Sequence, residues 1–240
     1  MPAGEPGGPA DGAPAVVIPA LDAEAALPAV LRRLREVLPD ATVIVVDDGS
    51  RDGTAAAAAA HGATVLRRCA NQGKGRALAD GVRAAVERGA GVVVTMDADG
   101  QHPPECVPAL LAPLAADGAD LVVGARRRSA GPMPWTRRVT NRLSSALVSR
   151  ALGVSVPDSQ SGFRAFTRRV AETVRPTGAR YEFETEFLFL AADAGFRIAA
   201  VPVPPVYGGT TSHFRYGADT WRLSRLFLRH WRAIAFGPRT

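Results

Sequence analysis

Residues 92–102 read Val-Val-Val-Thr-Met-Asp-Ala-Asp-Gly-Gln-His, an apolar run that stops abruptly at two carboxylates, Asp97 and Asp99. Such a run describes a buried strand, and in an open α/β sheet ligands sit at the carboxyl ends of the strands. Carboxylates one residue apart can share a divalent cation such as Mg²⁺ or Mn²⁺, which prefers oxygen donors and often also holds phosphates. The competing reading is a solvated Asp-Gly turn. A second acidic pair, Asp47-Asp48, closes an earlier apolar run at 42–46. In a parallel sheet both acidic ends face one crevice, where a carboxylate can accept from ribose hydroxyls or a base N–H. The other use for that pair, capping the next helix, is already open to Asp52 or Thr54.

Cations gather in the second half. Arg126, Arg127, Arg128, Arg137, Arg138, Arg142 and Arg164 supply planar forks suited to phosphate. The chain of 240 residues carries 29 Lys and Arg against 23 Asp and Glu, a balance that favours anionic partners. Carboxylates that could serve as a general base are Asp158, in a loop after Pro157, and Glu182 and Glu184, at the start of a helix where acids also suit the macrodipole. Lys74, in Asn71-Gln-Gly-Lys-Gly75, faces a phosphate or base, or more simply solvent; its surroundings lack the spacing of a P-loop. No Gly-x-Gly-x-x-Gly follows the first strand, which argues against a dinucleotide dehydrogenase. His102 adjoins the acidic strand end, while His61, His213 and His230 read as loop or surface residues. Cys69 and Cys106 form no CxxC pair, so neither a disulfide scaffold nor a zinc knuckle is expected.

The elements that must position these groups alternate. Strands are expected at 15–19, 42–46, 63–66, 92–95, 121–124 and 197–203, with helices over 23–38, 54–61, 75–88, 104–116, 137–151 and 181–194. Strand and helix in alternation with short connections predict a parallel sheet covered on both faces. Residues 1–14, rich in Gly, Pro and Ala, are expected to be disordered and contain no signal peptide. No run approaches the length of a membrane span. In the segment 218–240, Arg222, Arg225, Arg229 and Arg232 form one helical stripe opposite Leu223, Leu226, Phe227, Trp231 and Ile234. That is either a basic amphipathic helix for an anionic membrane surface or a helix packed on its own domain.

Taken in order, Val-Val-Ile-Pro19-Ala-Leu21, Val-Val-Asp47-Asp48-Gly-Ser-Arg-Asp-Gly-Thr54, Asn71-Gln-Gly-Lys-Gly, Met-Asp97-Ala-Asp99-Gly-Gln101-His, Gly124-Ala-Arg126 and Ser161-Gly-Phe-Arg164 form a set. From about residue 14 to about 217 the chain resembles the family 2 glycosyltransferases, closest to the polyprenyl-phosphate (dolichol-phosphate type) mannosyl- and glucosyltransferases. The resemblance implies a GT-A fold, a Rossmann-like three-layer α/β sandwich with a mostly parallel central sheet. It implies a metal site at Asp97, Asp99 and Gln101 for Mg²⁺ or Mn²⁺. It also implies a nucleotide bordered by Pro19, Leu21, Val46, Asp48, Asp97 and Ala98, and an acceptor phosphate near Arg126 with Arg164. The sequence departs from the family after Pro19: Leu21-Asp22-Ala23 stands where Tyr-Asn-Glu is usual, with Glu24 one place late.

The activity so implied is inverting transfer of a hexose from a nucleotide sugar, GDP-mannose or UDP-glucose, to a polyprenyl phosphate at the cytoplasmic membrane face. A phosphate monoester is already a nucleophile at neutral pH and needs arginines more than a base. A soluble hydroxyl acceptor would need Asp158 or a glutamate as base. A nucleic-acid-binding module ranks last, because no recognition helix or aromatic platform accompanies the arginines and the acidic sheet edge would repel phosphate in the absence of a cation.

Overall fold

The computed structural model describes residues 12–126, 135–178, 182–204 and 224–236, with only the helical backbone described at 135–141, 232, 233 and 236. Residues 1–11, Arg127, Arg128, Tyr181, His213, Arg222, Leu223, and the side chains of Arg137, Arg138 and Arg232 therefore lie outside the described residues.

Seven strands, β1 (Ala15–Ala20), β2 (Thr42–Asp47), β3 (Thr64–Arg67), β4 (Val92–Thr95), β5 (Leu121–Arg126), β6 (Arg164–Thr167) and β7 (Ile198–Val203), form one sheet in the order β3-β2-β1-β4-β6-β5-β7. Every pairing is parallel except those of β6, which runs antiparallel between β4 and β5. The mostly parallel sheet expected from the sequence is thus what forms, with β6 as its one antiparallel strand. Residues 164–167 read as the end of a loop motif, yet they supply the rung that joins the two halves.

The helices are α1 (Leu27–Val37), α2 (Thr54–Ala60), α3 (Lys74–Glu87), α4 (Val107–Ala115, entered through a 3-10 turn at Pro104–Cys106), α5 (Trp135–Leu152), α6 (Arg168–Thr173), α7 (Glu182–Asp193), α8 (224–229) and α9 (Trp231–Phe236). Alternate residues of each inner strand go to opposite faces, as the pleat requires. Ala15, Val17, Ile44 and Val46 join α3, α5, α6 and α7 in one apolar cluster. Val16, Ile18, Val43 and Val45 join α1, α2 and α4 in the other. The result is a three-layer sandwich whose central strands are buried on both sides.

The C-terminal segment is not one free helix. It breaks at His230, and α8 and α9 lie on the first apolar layer. Leu226 is buried there, Phe227 meets Phe189 edge to face, and the His230 ring stacks on Phe189 at 4.3 Å. Arg150 of α5 donates to the carbonyls of Ile234 and Ala235. His230, read from the sequence as a surface residue, is a packing contact. Arg225 and Arg229 are exposed, with Leu228 and Trp231 beside them on the outer side. No helix among the described residues is long and apolar enough to cross a membrane.

Candidate active site

The carboxyl edge of β1, β2 and β4 forms the floor of the crevice, and its corners are tied down by backbone contacts. Asp22, with φ of 49°, turns the chain after β1. Its amide donates to Ser50 Oγ and its carboxylate accepts from Arg51 N. Thr54 Oγ1 accepts from Ala23 N, and Glu24 Oε2 accepts from Gly53 N. The Leu21-Asp22-Ala23-Glu24 departure is therefore a corner cross-linked to the 50–54 loop, with Leu21 standing out of it, 38% exposed.

Asp47 and Asp48 end up buried and engaged. Asp47 Oδ1 accepts from Ser50 N. Asp48 takes the Arg68 guanidinium and Gln72 N on Oδ1, at 2.9 and 3.0 Å, and Gly73 N on Oδ2 at 2.8 Å. Both oxygens of Asp48 thus hold the 68–73 loop. Val46 is fully buried in the core, so its side chain faces α3 rather than the crevice; Pro19 is buried and Ala98 nearly so.

Clamping that loop delivers Lys74. It is the first residue of α3, and its ammonium lies 2.7 Å from Asp97 Oδ1 and 2.9 Å from Glu184 Oε1. The solvated loop lysine expected from the sequence is instead a bridge between the end of β4 and α7 in the second half. Burial works against its charge, but the Asp97 and Glu184 carboxylates outweigh it and hold Lys74 above the usual lysine range. Burial likewise pushes Asp97 up, and Lys74 with His102 and Arg126 overcomes it, so that Asp97 sits at about 2. His102 is buried, stacks on Phe163 at 5.2 Å, and accepts the Asp97 amide on Nδ1 at 2.9 Å. Burial lowers the pKa of its imidazole, against the opposing pull of Asp97.

Asp99 Oδ1 accepts from the amide of Gln101 at 2.9 Å. Among the described residues no three acidic, histidine or cysteine side chains converge as a metal cage. Two half-buried carboxylates at one strand end nevertheless suit a hard cation that takes part of its shell from substrate phosphates and water, as Mg²⁺ does.

The second half supplies the cations. Arg126, at the end of β5, grips Asp158 through Nε at 2.7 Å and Nη2 at 3.3 Å. Burial opposes its charge, but Asp158 first, then Asp97 and Asp99, raise its pKa. Gly124, two residues earlier, is required by packing: a Cβ there would come 2.9 Å from the Phe163 ring, and Gly124 N donates to Phe163 O. Arg126 also lines a cavity of about 560 Å³, with Arg142, Ser145 and Ser149 of α5 and with Val156, Pro157 and Pro202. Arg142, one of seven arginines in the sequence set, is thereby singled out. Arg164 is not open to substrate. It is 3% exposed, donates to the carbonyls of Ser161 and Ser159, and lies over the Phe187 ring. Burial brings its pKa down to about 10. The phosphate contact expected of Arg164 is corrected to a brace for the 159–162 loop. Glu184, 3% exposed, was named from the sequence only as a base candidate; its partner Lys74 lies too far away in sequence for spacing to reveal the pair.

A family model described as "Glycosyl transferase family 2" matches residues 15–175. The chain is 37% identical over 198 residues to an undecaprenyl-phosphate mannosyltransferase of Micrococcus luteus, covering 78% of this chain and 81% of that one. It is 34% identical over 200 residues to a polyprenol monophosphomannose synthase of Mycolicibacterium smegmatis, covering 78% and 75%. Among solved structures, glucosyl-3-phosphoglycerate synthase of Mycobacterium tuberculosis with Mn²⁺, uridine diphosphate and glucosyl-3-phosphoglycerate superposes with a TM-score of 0.71 at 27% identity, covering 96% of this chain and 82% of that one. The same enzyme has also been solved with Mg²⁺ and uridine diphosphate, with a TM-score of 0.70 at the same identity, covering 96% of this chain and 82% of that one.

Proposed function

The chain belongs to glycosyl transferase family 2 and has the GT-A fold, and from that premise we propose that it moves a hexose from a nucleotide sugar to a polyprenyl phosphate with inversion at the anomeric carbon. The observation that carries the acceptor is the cavity between β5, α5 and the 155–157 loop. It sets two arginines, Arg126 and Arg142, and the hydroxyl residues Ser145 and Ser149 among apolar side chains, a lining that suits a phosphate joined to a hydrocarbon. The relatives named for undecaprenyl-phosphate and polyprenol substrates support the same acceptor.

Asp97 and Asp99 would hold Mg²⁺ or Mn²⁺, which when bound supplies positive charge against the departing nucleoside diphosphate. The chain's own residues do the remaining work. Lys74 and Arg126 flank the acidic edge and keep Asp97 ionised. Asp158 fixes the Arg126 fork in a bidentate grip, so that the guanidinium meets the acceptor phosphate in a set orientation. A phosphate monoester has its second pKa near about 6, so it attacks without giving up a proton to the protein. The Arg126–Asp158 pair also weighs against a soluble hydroxyl acceptor, because a carboxylate locked to arginine is a poor general base. A lipid acceptor would bring the protein to the cytoplasmic face of a membrane as a peripheral enzyme.

The test is a matrix of GDP-mannose and UDP-glucose, each with Mg²⁺ or Mn²⁺, against undecaprenyl phosphate, 3-phosphoglycerate and soluble alcohols, read by mass spectrometry. A glycosyl phosphate lipid is the expected product. Transfer to soluble acceptors with none to lipid phosphate overturns the proposal. In the same assay Asp99→Ala is expected to abolish transfer and metal-dependent nucleotide binding while the fold persists; near-normal turnover would remove the metal site from Asp99.

A further inference from the structure

The Lys74 ammonium occupies an unusual position. It contacts Asp97 Oδ1 directly at 2.7 Å, on the carboxylate that the proposed function assigns to a divalent cation. Its second partner, Glu184, is 3% exposed, and among the described residues Glu184 Oε2 has no hydrogen-bond partner. Gly162 packs closely against this pair: even a methyl group there would come 2.8 Å from Nζ and 3.0 Å from Asp97 Oδ1. Gly162 is itself pinned, because Thr95 Oγ1 donates to its carbonyl. The lysine is also delivered rigidly, following Gly73, whose amide is held by Asp48.

We propose that Lys74 is a positioning residue that acts as a resident counter-cation: it weakens the intrinsic hold of Asp97 on divalent metal and so makes metal binding conditional on the diphosphate of the donor. This rests on the assignment of Asp97 and Asp99 to the metal. Two cations that share one carboxylate repel each other, and an ammonium in contact with an oxygen lowers its strength as a donor. Without nucleotide, the edge already carries a bound positive charge. A nucleoside diphosphate adds negative charge at the same place and restores the attraction for a divalent ion. Glu184 has the opposite influence, because it draws the ammonium away from Asp97 towards α7. Removing Glu184 leaves Lys74 with Asp97 as its carboxylate partner and tightens that contact.

The inference therefore predicts shifts of opposite sign from the two ends of one ion pair, which a purely structural role would not produce. The experiment titrates Mn²⁺ against the full chain, reading free Mn²⁺ by its paramagnetic resonance signal, with and without GDP or UDP. Wild type is expected to bind weakly alone and much more tightly with nucleotide. Lys74→Met should tighten binding in the absence of nucleotide by roughly tenfold or more, the scale of a contact between opposite charges, and should shrink the gain from nucleotide. Lys74→Arg should keep the wild-type pattern, and Glu184→Gln should weaken nucleotide-free binding. Since Lys74→Met takes the ammonium away from a buried glutamate, Lys74→Met/Glu184→Gln provides a charge-balanced variant, expected to bind more tightly than wild type without nucleotide. Nucleotide-free affinity that stays level or falls in folded Lys74→Met and in the double variant overturns the inference and leaves the metal assignment standing. Wild type that takes up no Mn²⁺ even with nucleotide overturns both.

Discussion

Arg126 and Asp158 form a pair in which one side chain sets the geometry of the other. Arg126→Ala is expected to slow transfer to lipid phosphate by about tenfold or more, since a charge-assisted contact contributes roughly 1.5–3 kcal/mol. Nucleotide affinity should stay nearly intact; steady-state kinetics with each substrate varied would check this, and a defect confined to the donor would assign Arg126 to the wrong substrate. His102 makes a pH prediction. Its folded pKa lies below the ordinary histidine value because of burial, and protonating Nδ1 would break the bond from the Asp97 amide. The unfolded chain takes up that proton more readily. The stabilisation is therefore complete above the unfolded value, about 6.5, and is lost as pH falls below it. Melting curves from pH 7.5 to 5.5 should fall more steeply for wild type than for His102→Asn, and equal slopes would remove the effect from His102. The place of Asp97 and Asp99 just past the end of β4 was legible in the sequence, because an unbroken apolar run that stops at Asp-x-Asp marks where a buried strand ends. The Lys74–Glu184 pair was not, because its members lie on different helices and meet only once Asp48 has folded the 68–73 loop over the sheet edge. Arg164 was misread for a related reason: a motif arginine looks the same whether its fork meets a phosphate or two backbone carbonyls.

At the scale of elements, β1 to β5 and the helices between them could be read from alternation, since strands buried on both faces appear as unbroken apolar runs. β6 could not. It is four residues long, begins with a buried arginine, and gains its stability from neighbours on both sides rather than from its own pattern. Its antiparallel course is what brings Gly162 and Phe163 under Lys74 and Gly124. The break at His230 was also hidden, because the arginine stripe runs through it without interruption. The packed inner side of α8 gives the element its own prediction. Leu226→Ala should cost about 2–5 kcal/mol, as buried leucines do, whereas Arg225→Ala and Arg229→Ala should each stay within about 0.5 kcal/mol as exposed surface changes. Denaturant melts of the three variants would decide it. A Leu226→Ala chain as stable as wild type would mean that α8 contributes little to the core.

For the whole molecule, the charge of +6 and the packed tail together determine how membrane binding must be tested. Deleting the segment from 218 onward is not a clean probe, because it removes Leu226 and Phe227 from the first apolar layer along with the arginines. The loss of every activity after deletion would report unfolding. The outer side of the same helices offers a better one: Arg225 and Arg229 are exposed beside Leu228, 67% exposed, and Trp231, 51% exposed. Arginines with apolar and aromatic side chains suit the headgroup region of an anionic bilayer. Each arginine near such a surface contributes about 1 kcal/mol, so Arg225→Ala/Arg229→Ala should weaken flotation with anionic vesicles by roughly tenfold or more. The difference should narrow with added salt, since screening acts over about 8 Å at physiological ionic strength. Transfer to long-chain polyprenyl phosphate in those vesicles should fall in parallel, while metal-dependent hydrolysis of the nucleotide sugar and the melting temperature hold, because neither arginine lies at the acidic sheet edge or in the core. Wild-type flotation by the folded double variant would show that these helices only cover the domain, and would leave contact with a lipid, among the described residues, to the cavity beside Arg126 and Arg142.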